Sequence, residues 1–506
     1  MVITDAIDHP KSRAANWLNI VCVGLVQACM GAVVVTTTTT LNRVMVIELA
    51  LPALVPGFLV SLHYIIQMIR PRMGYGADQT KRFTPWITGG MFVLSLGGVL
   101  AAIATTWMAD QFTLGVITAL IGFCMIGMGV SACGTTLLVL LSKGVGDHQR
   151  ATSATAVWIM MIFGFAVTSI VSGKLLDPFS FDRLLEVSVG VSVLACTITG
   201  LAMYGLESRL LGGADFEENK EPIDKPIHQV SLENSDIKVI KKNTNKNTNT
   251  NTNTKFKEAL ALLWRDDQAR LFTFFVFSSM LAYSAQDLIM EPFAAITYHL
   301  TPGQTTQLSG TLHASVLVGM LLLAFIGSGW VRGRLGQISS WMSFGCVLSA
   351  LGMFGLCAAG LLGSQAPALP LNPILMVLGV GNGLFSIAAI STMMRLATQT
   401  NQASSIDSGG AKPGIRMGLW GAAQAVAFGL GGLVGTGASD MSMRLMGNPS
   451  LAYANVFALE AVMFLIAAWI AQRVKALSRE TAALVELSPA LAHKDKASAQ
   501  LTLSGV

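Results

Sequence analysis

The stretch Lys241-Lys-Asn-Thr-Asn-Lys-Asn-Thr-Asn-Thr-Asn-Thr-Asn-Thr254 is a polar run inside a strongly apolar chain. The 506 residues are 52% hydrophobic and only 12% charged, and the mean hydropathy is +0.59. This composition is typical of a membrane protein. The polar run cannot bury a core, so it predicts a flexible linker. Because it separates two sets of apolar segments, it divides the chain into two halves and decides the fold.

Apolar segments of about 20 residues, enough to cross a hydrocarbon core of about 30 Å, occur six times on each side of the linker. We therefore predict an all-α membrane protein with twelve transmembrane helices. The first segment is too long for a removable signal peptide, and we expect it to remain as an anchor. The predicted spans are residues 17–39, 51–69, 85–107, 113–142, 153–173, 185–206, 271–292, 307–330, 338–363, 371–395, 417–438 and 452–472.

The basic residues predict the orientation of the spans. If both termini are cytoplasmic, 29 of the 33 Lys and Arg residues lie on that side, and the exceptions are Arg43, Lys174, Arg183 and Arg444. This bias follows the positive-inside rule, so the net charge of +5 reports topology and gives no indication of nucleic-acid binding. The predicted organisation is a cytoplasmic N-tail (1–16), a six-helix bundle (17–207), a cytoplasmic linker (208–269), a second six-helix bundle (270–473) and a cytoplasmic C-tail (474–506).

The two halves also resemble each other in sequence. Gly127-Met-Gly129 stands about twenty residues before Arg150 in the first half, and Gly381-Asn-Gly383 stands in a similar place before Arg395 in the second. Two repeats in the same orientation predict a pseudo-twofold axis along the membrane normal, with any substrate path between the halves. This organisation is typical of a transporter.

The loop after the second span, Gly74-Tyr-Gly-Ala-Asp78-Gln-Thr-Lys81-Arg82, resembles the signature that major facilitator superfamily proteins carry at this place. The resemblance implies a cytoplasmic gate loop, in which the glycine turns the chain, the aspartate caps or pairs with a helix, and the basic residues hold the gate. The match is partial, because Gln79 replaces a basic residue and Lys81 replaces a glycine. With the duplication, the resemblance implies a major facilitator fold of two six-helix pseudo-repeats.

Five longer segments resemble the PucC and LhaA family of photosynthetic bacteria. The resemblance implies a multi-pass protein of the bacterial inner, photosynthetic membrane that acts in assembling antenna complexes. The implied mechanism is delivery of bacteriochlorophyll to antenna α and β polypeptides, or shepherding of these polypeptides, with pigment-synthesis and membrane-insertion machinery as further partners. The segments are Leu41–Leu49, Arg72–Asp78, Gly173–Ser180, Met280–Phe293 and Met417–Gln424.

Bacteriochlorophyll is implied as cargo, and no covalent cofactor is expected. The sequence contains no phosphate-binding loop, no aspartate-rich prenyltransferase constellation and no CxxC spacing for a metal, so we expect a protein that is not an enzyme. Two alternatives stay open at this point. One is a proton-coupled secondary transporter of a small solute, and the other is a scaffold that transports nothing.

Ionisable residues inside spans are costly, which makes each of them a functional candidate. A rise of 1.5 Å per residue puts Asp287 roughly 25 Å beyond Arg270 and Glu291 at the outer boundary, where Pro292 predicts a kink or an end of the helix. Glu291 is then either a solvated helix end or part of a polar network. Arg43 occupies the matching place at the end of span 1, so Arg43 and Asp287 form a candidate periplasmic gate pair, with separate interfacial charges as the alternative.

Two histidines lie inside spans, His63 and His313. A neutral imidazole is the usual axial ligand of bacteriochlorophyll magnesium in antenna proteins, so both are candidate pigment ligands. The alternative is that each histidine is hydrogen-bonded to a neighbouring helix. The remaining candidates for a polar network inside the bundle are Glu48, Glu291, Asn382, Gln424 and Glu460.

Overall fold

The computed structural model describes residues 17–70, 72–73, 76, 82–211, 264, 266–327, 338–363, 369–403 and 413–503. Within these residues the regular structure is entirely helical. The Asn-Thr run and residues 1–16 lie outside the described residues, so the predicted linker and N-tail are not addressed by the structure.

The first six membrane helices coincide with the six predicted spans of the first half. Helix 1 is interrupted by five residues of π-helix, and helix 2 ends in a short 3₁₀ turn. A further short helix, Leu206–Leu211, follows helix 6. The bounds are Trp17–Ile47 for helix 1, Leu54–Ile69 for helix 2, Thr84–Asp110 for helix 3, Phe112–Gly144 for helix 4, Asp147–Leu175 for helix 5 and Phe181–Met203 for helix 6.

The second half contributes the other six helices, so the described residues contain the predicted twelve. Ten of them are long and apolar enough to cross a membrane as they stand, while helix 2 is shorter and helix 11 is rich in glycine. The bounds are Asp267–Tyr298 for helix 7, Pro302–Gly327 for helix 8, Ile338–Leu362 for helix 9, Leu371–Ala403 for helix 10, Pro413–Met446 for helix 11 and Pro449–Leu503 for helix 12.

The chain forms two compact units. Among the described residues, the first unit consists of those from 17 to 211 together with 300–313, and the second consists of those from 264 to 299 together with those from 314 to 503. The beginning of helix 8, up to His313, therefore belongs to the first unit, whereas the predicted domain boundary at residue 270 assigns all of helix 8 to the second bundle.

Glycines allow helices within each unit to pack backbone against backbone. In the second unit, a Cβ atom on Gly431 of helix 11 would lie 2.6 Å from the carbonyl oxygen of Leu281, and one on Gly435 would lie 2.8 Å from Cβ of Ala285. Small residues at such crossings are the usual means by which membrane helices associate. These contacts hold helix 11 directly against the polar end of helix 7.

Helix 7 does not stop at Pro292. It continues to Tyr298, and Glu291 is fully buried. Of the two outcomes predicted at Pro292, a kink or an end of the helix, the end is therefore wrong, and so is the predicted solvated Glu291. A helix of 32 residues is about 48 Å long, well beyond the hydrocarbon core, and neighbouring helices in a bundle can compensate for the one backbone hydrogen bond that proline removes.

Candidate functional site

The polar end of helix 7, residues 284–291, lies in the interior of the second unit. Ser284 donates a hydrogen bond from Oγ to the carbonyl oxygen of Phe428 on helix 11, at 2.8 Å. Gln286, Asp287 and Glu291 follow along the same helix. We call this stretch, with the side chains that meet it from helices 9, 10 and 12, the helix 7 cluster.

The neutral part of the helix 7 cluster is a chain of three side chains. Ser349 of helix 9 donates from Oγ to Oδ1 of Asn382 at 2.7 Å, and Asn382 of helix 10 donates from Nδ2 to Oε1 of Gln286 at 3.2 Å. All three side chains are completely buried, and Nε2 of Gln286 has no hydrogen-bond partner among the described residues. This chain connects three helices through their side chains.

The acidic part of the helix 7 cluster consists of Asp287, Glu291 and Glu460. Asp287 lies within electrostatic range of both glutamates. Glu460 of helix 12 is 2% exposed, and neither of its carboxyl oxygens has a hydrogen-bond partner in the described part of the chain. Oδ1 of Asp287 is also buried and has no hydrogen-bond partner among the described residues, although the residue as a whole is half-buried. A buried charge without a partner is costly, which makes Glu460 a candidate functional residue.

Aromatic and hydroxyl contacts hold helices 7 and 12 side by side. The ring of Phe293 meets the ring of Phe457 edge to face at 4.9 Å, and Thr297 is hydrogen-bonded to Ser450 at 3.0 Å. Helix 12 therefore runs antiparallel to helix 7 in this region. Glu460, one turn beyond Phe457, lies beside the segment of helix 7 that contains Asp287 and Glu291. Gln424, the other amide predicted for a network, is half-buried on helix 11.

Arg43 forms a separate polar site in the first unit. Arg43 is 2% exposed. Its guanidinium donates from Nη1 to Oε1 of Glu48 at 2.5 Å and from Nη2 to the carbonyl oxygen of Leu300 at 3.1 Å. Glu48 belongs to the same stretch of chain as Arg43, whereas Asp287 belongs to the other unit. The Arg43–Asp287 gate pair thus stays a prediction.

Both candidate pigment ligands are buried in the first unit. Nδ1 of His63 donates to the carbonyl oxygen of Val60 at 2.5 Å, and Nδ1 of His313 donates to that of Ser309 at 2.7 Å. Nε2 of His63 is buried and has no hydrogen-bond partner among the described residues. Val60 and Ser309 lie on the same helices as the histidines that bond to them. Each histidine therefore forms a hydrogen bond within its own helix, where the alternative from the sequence was a bond to a neighbouring helix. Pigment ligation by either ring stays a prediction.

Part of the predicted gate loop lies outside the described residues, namely Gly74, Asp78 and Lys81. Arg82 is described and exposed, and it lies within electrostatic range of Glu207. The Glu207 carboxylate accepts hydrogen bonds from the backbone N–H groups of Phe83 and Thr84, both at 2.8 Å. The short helix after helix 6 therefore caps the beginning of helix 3.

Two features were not predicted from the sequence. The first is the π-helical segment Thr36–Thr40 in helix 1, in which Thr36 and Thr39 bond back to the carbonyl oxygens of Ala32 and Val35. Five consecutive threonines are visible in the sequence, and π segments are frequent at functional sites. The second is Gln286, which could have been proposed from the sequence because it is next to the candidate residue Asp287.

A model of the family described as PUCC protein matches residues 40–240 and 236–478 of the chain. The chain belongs to the PUCC protein family. The resemblance to the PucC and LhaA proteins found in the sequence is thereby confirmed.

Relatives of this PUCC family member are similar along nearly their whole length. The Bacteriochlorophyll synthase 44.5 kDa chain of Rhodobacter capsulatus is 40% identical over 461 residues, which cover 91% of this chain and 96% of the relative. Protein PucC of Rhodobacter capsulatus is 26% identical over 462 residues, which cover 88% of this chain and 89% of the relative.

Solved structures with the same fold come from transporters. The PUCC family chain matches a structure of a proton dependent oligopeptide transporter with a TM-score of 0.62 at 14% identity, covering 92% of this chain and 100% of the other. It matches the D-xylose-proton symporter with a TM-score of 0.58 at 13% identity, covering 88% and 97%. Identities this low show the fold alone. They confirm the predicted major facilitator fold of a multi-pass membrane protein.

Proposed function

We propose that this PUCC family member is an assembly factor for bacterial antenna complexes. It delivers bacteriochlorophyll to antenna α and β polypeptides, or shepherds these polypeptides, in the photosynthetic inner membrane. The observation that carries the proposal is the family match over residues 40–478, together with the 40% identity to a relative named for bacteriochlorophyll. Pigment-synthesis and membrane-insertion machinery are its further proposed partners.

The proposal assigns the protein no catalytic reaction, although one relative is named as a synthase chain. The support is chemical. The helix 7 cluster consists of amides, a hydroxyl and carboxyl groups, and the sequence offers no phosphate-binding loop that would hold an activated prenyl substrate.

The proposed orientation, with both termini in the cytoplasm, rests on the 29 basic residues of that side.

The proposed delivery of pigment is tested by the absorption spectrum of the detergent-purified protein from pigmented cells. We expect bound bacteriochlorophyll in preparations that contain no antenna polypeptide. The matched comparison is the same protein purified from a strain that makes no bacteriochlorophyll. A colourless preparation from pigmented cells would contradict delivery and leave only the shepherding form of the proposal.

A second candidate function, proton-coupled transport of a small solute, is favoured by one observation. Inside the second unit, both carboxyl oxygens of Glu460 and the buried Oδ1 of Asp287 have no hydrogen-bond partner among the described residues. A carboxyl group of this kind can take up and release a proton when its surroundings change. Under this alternative the cluster is the proton carrier, and the antenna is affected only indirectly.

Replacing Glu460 with glutamine separates the two candidate functions. The amide has the same shape as the neutral acid, so we expect the folded protein to keep its thermal stability. Under the transport alternative, solute-driven proton uptake in proteoliposomes is lost in Glu460→Gln and retained in Glu186→Gln, which changes an exposed carboxyl group on helix 6. Under the assembly proposal, Glu460→Gln leaves antenna absorption at the wild-type level, and a loss of both activities would contradict that proposal.

A further inference from the structure

A groove lies along helices 3 and 4 in the first unit. Its volume is about 420 Å³, within the range of about 300–1,000 Å³ that is usual for small-ligand sites. None of the residues that line it is charged. The lining residues that matter below are Met73, Trp86, Gly89, Val93, Met128 and Ala132.

The groove exists because helix 3 has glycine at positions 89 and 90, where a larger residue would place a side chain. A Cβ atom on Gly90 would lie 2.6 Å from the backbone nitrogen of Cys133, so glycine is needed there for helices 3 and 4 to approach each other. Gly89, one residue earlier, is different: a Cβ atom there would meet nothing within 4 Å. The packing of the two helices does not require glycine at position 89, and its absent side chain is what leaves the space open.

The groove is open at the surface of the first unit, because Pro85, Gly89 and Met128 in its lining are exposed. Phe92 on helix 3 is 61% exposed and Met128 on helix 4 is 38% exposed, and an apolar surface of this kind in a membrane span is covered by hydrocarbon. The lining of helix 3 extends from Pro85 to Val93, about 12 Å along the axis. The groove therefore begins at the membrane surface and has the shape to hold an apolar chain.

The charge at that surface is positive. The described charged residues between positions 70 and 82 are Arg70, Arg72 and Arg82, and all three are exposed. Met73 lines the groove and follows the exposed Arg72 directly. Although Glu207 offsets part of the charge of Arg82, a basic segment at the end of a membrane helix attracts anionic headgroups.

We propose that this groove is a binding site for an anionic phospholipid. One acyl chain lies between Val93 and Met128, in the space left by Gly89, and the phosphate lies at the membrane surface beside Arg72. The site is distinct from the helix 7 cluster and belongs to a different unit. It does not depend on the proposed role in antenna assembly.

The experiment measures lipid retention by native mass spectrometry of the full chain. The protein is purified from nanodiscs of equal phosphatidylglycerol and phosphatidylcholine, and the ratio of the two retained lipids is compared. We expect wild type to be enriched in phosphatidylglycerol, Gly89→Leu to lose the retained lipid of both kinds, and Arg72→Gln to lower the enrichment about fivefold. Gly200→Leu is the matched control, because a Cβ atom on this exposed glycine of helix 6 also meets nothing within 4 Å.

Two results would overturn the proposal. The first is a Gly89→Leu protein that retains as much phosphatidylglycerol as wild type and as Gly200→Leu. The second comes from protein purified out of pigmented cells. If Gly89→Leu loses bacteriochlorophyll or an antenna polypeptide while its phosphatidylglycerol content is unchanged, the groove binds that partner and not a phospholipid.

Discussion

Replacing Glu48 with alanine is expected to lower the free energy of unfolding of the full chain by about 3 kcal/mol, because it leaves the buried Arg43 guanidinium without its carboxylate. The Glu48 side chain is 32% exposed, so we place the effect at the lower end of the range for a broken buried ion pair. Only the carbonyl oxygen of Leu300 would remain as a described partner. Equilibrium unfolding in mixed detergent micelles measures the change.

The double variant Arg43→Met with Glu48→Leu is the control for this prediction. Because it removes both charges and keeps apolar volume, it is expected to recover most of the stability that Glu48→Ala loses. If Glu48→Ala unfolds at the same denaturant concentration as wild type, the ion pair between Arg43 and Glu48 contributes nothing. Arg43 would then have another anionic partner, and the predicted pair with Asp287 would gain support.

Replacing Asn382 with leucine is expected to lower the free energy of unfolding by about 2 kcal/mol, because hydrogen bonds between membrane helices contribute about 0.6 kcal/mol each on average and an orphaned buried group costs more. Asn382 is hydrogen-bonded to both Ser349 and Gln286. Because Nε2 of Gln286 already has no partner among the described residues, the loss of Asn382 leaves Oε1 of the buried Gln286 without its partner as well. Thermal unfolding followed by tryptophan fluorescence gives the ranking of the variants.

Two further variants make this prediction specific. Ser349→Ala breaks one bond at the end of the chain and is expected to cost less than half as much. Gln286→Leu removes the side chain that already has an unsatisfied Nε2, so its cost is expected to lie between the other two. A Ser349→Ala variant less stable than Asn382→Leu would contradict the described connectivity of the three side chains.

The membrane helices could be predicted from the sequence because hydropathy reports directly on burial in lipid. The bounds were less predictable, because a helix does not end where its apolar residues end. Helix 12 continues to Leu503, 31 residues past the predicted limit at 472, since polar residues such as those of the C-tail also form helix outside the bilayer. Helix 7 likewise continues past the end predicted at Pro292, because a rule for isolated helices was applied to a helix supported by its neighbours.

The components of the site could be predicted, but their arrangement could not. Asn382 and Glu460 were candidates because polar side chains are rare in spans. Which helices bring them to Gln286 and Asp287 depends on glycine contacts and ring packing, such as Phe293 against Phe457, that leave no pattern in a single sequence. Glu48 was expected in a network, and the structure gives it Arg43 as its partner.

The central claim is that the protein assembles antenna complexes, and deletion of its gene in a phototrophic bacterium tests this most directly. The measurement is the absorption spectrum of isolated photosynthetic membranes, compared between the wild type, the deletion strain and the deletion strain carrying the gene on a plasmid. The account predicts that antenna absorption is strongly reduced in the deletion strain while reaction-centre absorption remains, and that the plasmid restores it. Antenna absorption at the wild-type level in the deletion strain would contradict the account.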